Sequence, residues 1–143
     1  MIELGFKLID QNAKLPTYAT NMASGMDLYS IESTVLLPLT RRLVRTGICP
    51  VIPKGYELQV RPRSGLALKH GITVLNTPGT IDQDYTGEIM VILYNSTPVD
   101  YVLNIGDRIA QIVLAQVSFA EIKQVKELPV TQRNANGFGS TDT

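Results

Sequence analysis

Short apolar stretches recur along the chain, and residues that break strands end nearly all of them. Each stretch gives way to Gly, Pro, Asn or Asp, and many short strands punctuated in this way are typical of a β-sandwich or barrel. The stretches that we expect to form strands are residues 3–9, 34–37, 43–46, 56–61, 72–75, 88–94, 101–103 and 108–117. The pattern predicts an all-β protein.

Two of these stretches differ in how their side chains should be buried. In residues 56–61, apolar and polar side chains alternate, which predicts a strand with one face towards solvent. Residues 88–94 lose that alternation, because residues 89–93 are all apolar. We therefore expect this strand to be buried on both faces, either in the centre of a sheet or at a subunit contact.

One short helix is predicted between the strands. Ser64 can cap its amino end, residues 66–68 favour helix, and Gly71 can end it. Lys69 and His70 in the last turn complement the helix dipole. The amino end of this helix lies beside Arg63, so it could bind an anion.

The character of the chain changes near its end. Residues 131–143 are polar, rich in Gly and Asn, and have no apolar periodicity. We predict one domain over residues 1–128, followed by a flexible C-terminal segment over residues 129–143 that is mobile without a ligand.

Composition narrows the possible functions. The 143 residues suffice for one domain, and 44% are apolar and 18% charged, an ordinary globular balance. Basic and acidic residues number 13 each, and this zero net charge argues against nucleic-acid or anionic-membrane binding. We interpret the cluster of Arg41, Arg42 and Arg45 as solvated side chains on a strand. Any bound anion must then be held by a few well-placed arginines.

Cysteine and histidine are scarce. Cys49 is the one cysteine, which leaves no intramolecular disulfide, and we expect it to be a small core residue. His70 is the one histidine, which excludes zinc sites and catalytic triads built on several histidines. We see no secretory signal and no apolar run near the roughly 18 residues of a membrane helix. These features predict a soluble, cytoplasmic protein.

Three segments carry candidate chemistry, and each also has a purely structural interpretation. Residues 79–89 place carboxylates and Tyr85 in a turn before an apolar strand, as in a loop-borne site or in a plain hairpin turn. Residues 61–67 combine Arg63, Ser64 and Gly65, which suit phosphate oxygens but also fit a capped helix beside a surface arginine. Residues 133–141 place Phe138 between glycines and so indicate a lid, or else an unstructured terminus.

These segments, taken with two others, closely resemble the trimeric deoxyuridine triphosphate diphosphatase (dUTPase) family. All five motifs of that family occur in order: ASGMDL at 23–28, RPRSGLA at 61–67, GTIDQDYTGEI at 79–89, GDRIAQ at 106–111 and RNANGFGST at 133–141. One departure is Asp142, where the family usually has glycine. The resemblance implies a jelly-roll-like β-barrel, or β-clip, with one short helix and a flexible C-terminal tail.

The implied reaction is hydrolysis of dUTP to dUMP and pyrophosphate, with Mg²⁺ bound to the triphosphate. This reaction supplies dUMP for thymidylate synthesis and keeps uracil out of DNA. Asp82 resembles the carboxylate that activates the water attacking the α-phosphorus, and Asp27 resembles the acid that supports the metal through water. We interpret Asp84 as a solvated turn residue and Glu88 as an acceptor for turn backbone.

The resemblance also assigns contacts with the substrate. Phosphates would be held by Arg63, Ser64, Gly65 and Gln111. The far end of the substrate would be closed by a lid comprising Arg133, Phe138, Gly139, Ser140 and Thr141, with Phe138 over the base. Tyr85 would pack against the deoxyribose and leave no space for a 2′-hydroxyl. The uracil edge would be recognised by Asn76 and by backbone around Gly79, Thr80, Ile81 and Met90.

The family forms homotrimers with active sites between subunits, so we expect dUTP and two further copies of this chain as partners. Three other functions fit parts of the sequence. A dCTP deaminase has a related fold, a nucleotide sensor could use the scaffold without catalysis, and a structural jelly-roll module would explain the strands alone. The lid segment at 137–141 and the run at 81–85 favour the diphosphatase over the deaminase, and the presence of Asp82, Arg63 and Arg133 favours it over the sensor. A structural module would leave the five motifs unexplained.

Overall fold

Short antiparallel strands dominate the computed structural model, which describes residues 2–137. Twelve strands and one helix are present within this range. In chain order the elements are β1 Gly5–Leu8, β2 Thr17–Tyr18, β3 Met26–Tyr29, β4 Thr34–Leu36, β5 Arg41–Arg45, β6 Ile48–Val51, β7 Tyr56–Arg61, α1 Ser64–His70, β8 Ile72–Val74, β9 Gly79–Ile81, β10 Met90–Asn95, β11 Tyr101–Leu103 and β12 Arg108–Gln116. The predicted all-β class is confirmed, and the architecture fits a jelly-roll-like fold.

The strands form one five-stranded sheet and three smaller ones. The large sheet has the order β2-β3-β12-β7-β9, and a three-stranded sheet has the order β5-β10-β8. Strand pairs β1-β6 and β4-β11 complete the set, and every pairing is antiparallel. The long strand β12 pairs with β3 on one side and β7 on the other, so it joins three of the motif-bearing segments.

Aliphatic side chains from the sheets pack into a single core. Leu28, Leu58, Val91 and Ile112 are each at most 1% exposed, and they come from four different strands. Burying such side chains is worth about 1.5–3 kcal/mol each. The strands that pack in this core carry the loops that line both candidate cavities described below.

Strand β10 buries only one of its faces within a single chain. Val91, Leu93 and Asn95 are buried, whereas Met90 is 40% exposed and Ile92 is partly exposed. Its place between β5 and β8 confirms the prediction of a central strand. The expected burial of both faces is wrong for one chain, because no element among residues 2–137 covers the outer face.

Four strands were not predicted, and one residue on them differs from expectation. The missed strands are β2, β3, β6 and β9. Cys49 on β6 is partly exposed rather than a core residue. It alternates with the buried Ile48 and Pro50, so the pleat turns its side chain away from the core.

The helix begins and ends close to the predicted positions, with a different cap. Arg63 is the N-cap residue, with φ −94° and ψ 126°, and no side chain caps the helix. Ser64 is instead the first helical residue, so the predicted serine cap is wrong. Gly71 ends the helix in the left-handed region at φ 62°, as predicted.

The chain beyond β12 lies on the surface as far as it is described. Residues 117–137 form no strand or helix, and Phe119, Ile122 and Leu128 are largely exposed. The predicted boundary between a domain and a C-terminal segment at residue 128 stays a prediction. Within residues 2–137, no helix has the length and apolar character needed to cross a membrane.

Candidate active site

The turn after β9 places Asp82 at the surface. Tyr85 donates its backbone N–H to the carbonyl of Asp82 at 3.0 Å, which closes the turn. The side-chain oxygen of Gln83 accepts a hydrogen bond from the backbone N–H of Gly55 at 2.8 Å, tying the turn to the loop before β7. The Asp82 side chain is exposed. These two hydrogen bonds fix the turn that carries it.

A cavity of about 240 Å³ opens beside this turn. Its walls contain six of the predicted site residues: Asn76, Thr80, Ile81, Asp82, Tyr85 and Met90. The remaining wall is formed by Leu43, Glu88, Ile89 and Ile92. Gly79 lies behind Asn76, since a Cβ atom on Gly79 would stand 3.3 Å from the amide nitrogen of Asn76. The structure thus brings the predicted base, sugar and catalytic residues to one cavity, which we call the turn cavity.

Tyr85 is held against the backbone of its own loop, which joins β9 to β10. Its hydroxyl donates to the carbonyl of Glu88 at 2.9 Å. A Cβ atom on Gly87 would stand 2.7 Å from Cζ of the Tyr85 ring, so only glycine leaves room for the ring here. The ring position is fixed by these two neighbours.

Glu88 ties the loop between β9 and β10 to the turn between β5 and β6. Its carboxylate accepts the backbone N–H of Gly47 at 2.8 Å, as an acceptor for turn backbone. Arg45 Nε lies 3.0 and 3.2 Å from the two carboxylate oxygens. The hydrogen bond and charge of Glu88 raise the pKa of Arg45 above its ordinary value, so this arginine stays charged at working pH.

A second cavity, of about 210 Å³, lies at the other end of β7. It contains Asp27, Arg63, Ser64, Gly65 and Gln111, all of them predicted site residues. Its other lining residues are Ala19, Ala23, Gly25 and Arg108. We call it the phosphate cavity, because it gathers donors and positive charge that suit phosphate oxygens.

Asp27 is the electrostatic centre of the phosphate cavity. It is 8% exposed, and its two oxygens accept hydrogen bonds from Arg63 Nε at 3.0 Å and from Arg108 Nη1 at 3.1 Å. Arg108 was not predicted to belong to the site. Arg108 lies within the GDRIAQ motif, but nothing in the sequence marked this arginine, at the start of a strand, as a site residue.

Gln111 joins three motifs. It donates its side-chain N–H to the carbonyl of Pro62 at 2.9 Å, and a Cβ atom on Gly25 would overlap its side-chain oxygen. Gln111 therefore fixes the entry to the helix while packing against the loop before β3. One of its amide hydrogens is still available to a ligand, because an amide nitrogen carries two.

The phosphate cavity contains a single carboxylate, that of Asp27, which could support a metal ion. No group of three or more His, Cys, Asp or Glu side chains among residues 2–137 could hold an ion. Asp27 nevertheless fits an indirect role, because each carboxylate oxygen accepts more than one hydrogen bond and only one arginine contacts each. Magnesium usually keeps several waters and takes phosphate ligands, which agrees with a single supporting carboxylate.

The two cavities lie apart within one chain. Ile81, just before Asp82, pairs with Leu58, and Arg63 lies five residues beyond Leu58 in the opposite direction from Asp82. Asp82 is level with position 57, six residues from Arg63, so at about 3.3 Å per residue the two are separated by about 20 Å along the strand. Among the described residues, none lines both cavities.

The predicted lid is only partly within the described range. Arg133 lies in an exposed turn, where its Nε donates to the carbonyl of Asn136 at 2.9 Å. Phe138, Gly139, Ser140 and Thr141, together with the departure at Asp142, lie outside the described residues. Within residues 2–137, Arg133 lines neither cavity.

Comparison with known proteins identifies the family. The dUTPase family model matches residues 11–142. A deoxyuridine 5'-triphosphate nucleotidohydrolase from Nautilia profundicola is 53% identical, with 98% of this chain and 99% of that protein covered. One of the same name from Helicobacter pylori is 48% identical, with 98% and 97% covered. The chain belongs to the dUTPase family.

Solved structures agree with this assignment. The dUTPase of Staphylococcus bacteriophage 80alpha, solved with dUpNHpp, superposes with a TM-score of 0.92 at 27% identity, over 100% of both chains. A mutant dUTPase from phage phi11 of S. aureus, described with a structural Mg(II) ion, gives a TM-score of 0.83 at 26% identity. That match covers 88% of this chain and 98% of the phage chain.

Proposed function

We propose that this dUTPase-family enzyme hydrolyses dUTP to dUMP and pyrophosphate through a water that Asp82 activates for attack on the α-phosphorus. The observation that carries the proposal is the turn cavity, in which a surface carboxylate shares one wall with Asn76, Thr80 and Tyr85. Phosphoryl transfer requires mainly positioning and charge stabilisation. No Ser, Cys or His nucleophile is needed.

The turn cavity supplies selectivity for deoxyuridine. The amide of Asn76 and the backbone near Thr80 bond the uracil edge, while Ile81 and Met90 supply apolar walls. A pocket built on hydrogen bonds can discriminate by roughly 10⁴–10⁵, because a wrong base leaves buried groups unpaired. Tyr85 stands where a ribose 2′-hydroxyl would need space, so the sugar is selected by exclusion.

The phosphate cavity binds the triphosphate. Arg63 has five N–H donors, of which Nε contacts Asp27 and one Nη1 hydrogen contacts the carbonyl of Arg108. The remaining hydrogens, with the first N–H groups of α1 and the side chain of Gln111, bond phosphate oxygens. Gly65 has no side chain, so its backbone can approach the phosphate oxygens closely. The space that a Cβ atom would occupy there has no protein atom within 4 Å and is open to the substrate.

Magnesium is the cofactor that fits this site. Asp27 would support it through water, and the substrate phosphates would supply its direct oxygen ligands. When bound, the ion neutralises negative charge on the phosphates. The arginines beside Asp27 then complete the neutralisation, because Arg63 and Arg108 lie on either side of its carboxylate.

One chain cannot complete this site. The α-phosphorus must lie within reach of the water held by Asp82, and the next phosphates share bridging oxygens with it. Arg63 is about 20 Å along the strand from Asp82 in the same chain, too far to contact those phosphates. We therefore assign the phosphate cavity of one copy to the turn cavity of another, in the homotrimer that the family motifs imply.

Uncovered apolar residues support this assembly. Phe119, Ile122 and Val130 are 76%, 96% and 93% exposed in a segment that pairs with no strand of residues 2–137. Large exposed apolar surface marks interaction sites. An arm packed on a neighbouring copy would cover these side chains and carry Arg133 towards a site that its own chain does not form.

The direct test is pyrophosphate release from dUTP, dTTP, dCTP and UTP, each with and without Mg²⁺. The proposal expects fast release from dUTP alone, and only with the metal. Release from all four nucleotides would contradict the selectivity of the turn cavity. Binding of dUTP without release would indicate a sensor, and ammonia from dCTP would indicate a deaminase.

A further inference from the structure

An ion pair between Glu88 and Arg45 anchors the end of the loop between β9 and β10, which carries Tyr85. The Glu88 side chain is 13% exposed, and its partner Arg45 on β5 is 46% exposed. Glu88 accepts from Arg45 Nε at 3.0 and 3.2 Å and from the backbone N–H of Gly47 at 2.8 Å. Two donors, in three contacts, therefore fix one carboxylate at the end of this loop.

Glu88 also fixes Tyr85, through the Glu88 backbone carbonyl. The carbonyl of Glu88 accepts the Tyr85 hydroxyl at 2.9 Å, and Gly87 between them leaves space for the ring. Arg45 and Gly47 lie more than forty positions earlier in the chain, at the junction of another pair of strands. A continuous set of contacts therefore runs from β5, through Glu88, to Tyr85, which we call the sugar wall of the turn cavity.

We infer that Arg45 and Glu88 are positioning residues that set the discrimination between deoxyribose and ribose, by holding the Glu88 carbonyl that fixes the Tyr85 ring. The inference rests on the proposed role of Tyr85 as the wall that excludes a 2′-hydroxyl. Neither residue is assigned a contact with the sugar. Both act through the position of the ring.

Discrimination against ribose depends on whether the Tyr85 ring can move to admit one additional oxygen atom, that of the 2′-hydroxyl. Tyr85 is 42% exposed, so packing alone does not fix its ring. A wall that can move outward admits the larger sugar, whereas a fixed wall forces a collision. Differences of about one heavy atom are typically worth 10–200-fold in selectivity when the pocket is firm. Loosening the wall should raise activity on UTP more than it lowers activity on dUTP.

The test compares kcat/KM for dUTP and for UTP in three single variants and the unaltered protein. Glu88→Gln keeps the shape of the side chain and an acceptor for Gly47 but removes the charge. Arg45→Met removes the cation. Arg42→Met is the matched control, since Arg42 lies on the same strand and pairs with Glu32 at 3.7 Å, away from the loop between β9 and β10.

We expect the dUTP-to-UTP ratio to fall about tenfold in Glu88→Gln and Arg45→Met, mainly through a gain on UTP, and to stay unchanged in Arg42→Met. Arg45→Lys, which keeps the charge, should restore part of the ratio. A ratio that stays within about twofold in both variants would overturn the inference. So would an equal loss on both substrates, which is the mark of a merely structural role.

Tyr85 variants separate this inference from the proposed function. If Tyr85→Ala leaves the ratio unchanged, the proposed sugar wall itself is wrong. If Tyr85→Ala abolishes discrimination while Glu88→Gln does not, only the present inference fails. In the double variant Tyr85→Phe with Arg45→Met, we expect no further loss of the ratio beyond Tyr85→Phe alone, because the hydroxyl that links them is gone. Fully additive losses would contradict the link.

Discussion

The side-chain oxygen of Gln111 fills the space that a Cβ atom on Gly25 would need. Gln111 also donates to the carbonyl of Pro62 at 2.9 Å, so a single amide joins the loop before β3, the strand β12 and the entry to α1. The three elements bring Asp27, Arg63 and Gln111 into one cavity. Glycine at position 25 is therefore a packing requirement of the phosphate cavity.

Gly25→Ala should damage both stability and substrate binding. The added methyl group must displace Gln111, and overpacking of this kind costs about 1–3 kcal/mol. We expect a lower melting temperature and a kcat/KM for dUTP reduced by about tenfold, since Gln111 and the helix entry move together. Thermal unfolding and steady-state kinetics measure the two effects. Unchanged kinetics in a folded protein would contradict the assigned role of Gln111.

Gly65→Ala should separate binding from stability. A Cβ atom at position 65 meets no protein atom within 4 Å, and alanine is favoured over glycine in a helix by about 0.5–1 kcal/mol. The free energy of unfolding should stay level or rise. Affinity for a non-hydrolysable dUTP analogue should fall, because the methyl group enters the space assigned to phosphate. Calorimetric titration that gave unaltered affinity would remove Gly65 from the phosphate site.

Asp82→Asn should fold normally, bind dUTP and lose nearly all turnover. The amide keeps the size of the side chain but cannot take a proton from water, and general bases of this kind contribute about 10²–10⁴-fold. Asp84→Asn is the control, since Asp84 is an exposed acid on the same turn that does not line the turn cavity. Retention of half the activity by Asp82→Asn would refute its catalytic assignment.

We expect the ionisation of Tyr101 to lower the free energy of unfolding at alkaline pH. Burial, followed by the charge of Asp107, raises the pKa of the Tyr101 hydroxyl above its ordinary value of 10.0, although Arg63 opposes this effect. The stabilisation is fully present below the unfolded pKa of about 10 and is lost as the pH rises through the raised pKa, because the unfolded chain ionises first. The urea midpoint of the unaltered protein should therefore fall more steeply above about pH 10 than that of Tyr101→Phe. Parallel curves would contradict the shift.

Much of the fold was predictable because most strands are both apolar and bounded by turn residues. Residues 56–61 and 101–103 were predicted with their observed bounds. The missed strand β3 contains part of the ASGMDL motif, and β9 is three residues long and starts at Gly79. The missed strand β6, Ile48–Val51, contains Pro50. A proline is tolerated there because β6 is at the edge of a two-stranded sheet.

Six lining residues of the turn cavity and five of the phosphate cavity were predicted as site residues, but the contacts that connect them were not. The motifs named Asp27, Arg63 and Gln111, yet spacing in sequence does not show that Arg108 shares the Asp27 carboxylate. The contact between Arg45 and Glu88 spans 43 positions, and no local pattern marks it. The separation of the two cavities depends on the register of β7 with β9, which requires the folded structure.

The most direct test of the account is whether Asp82 of one copy works with Arg63 of another. Asp82→Asn and Arg63→Gln chains, each inactive alone, are co-expressed with different tags, and assemblies that carry both tags are purified. In a cyclic trimer, every such assembly has about one site in three with both residues intact, so about a third of normal dUTP hydrolysis should return. Mixed assemblies that stay as inactive as either variant alone would contradict a site shared between copies.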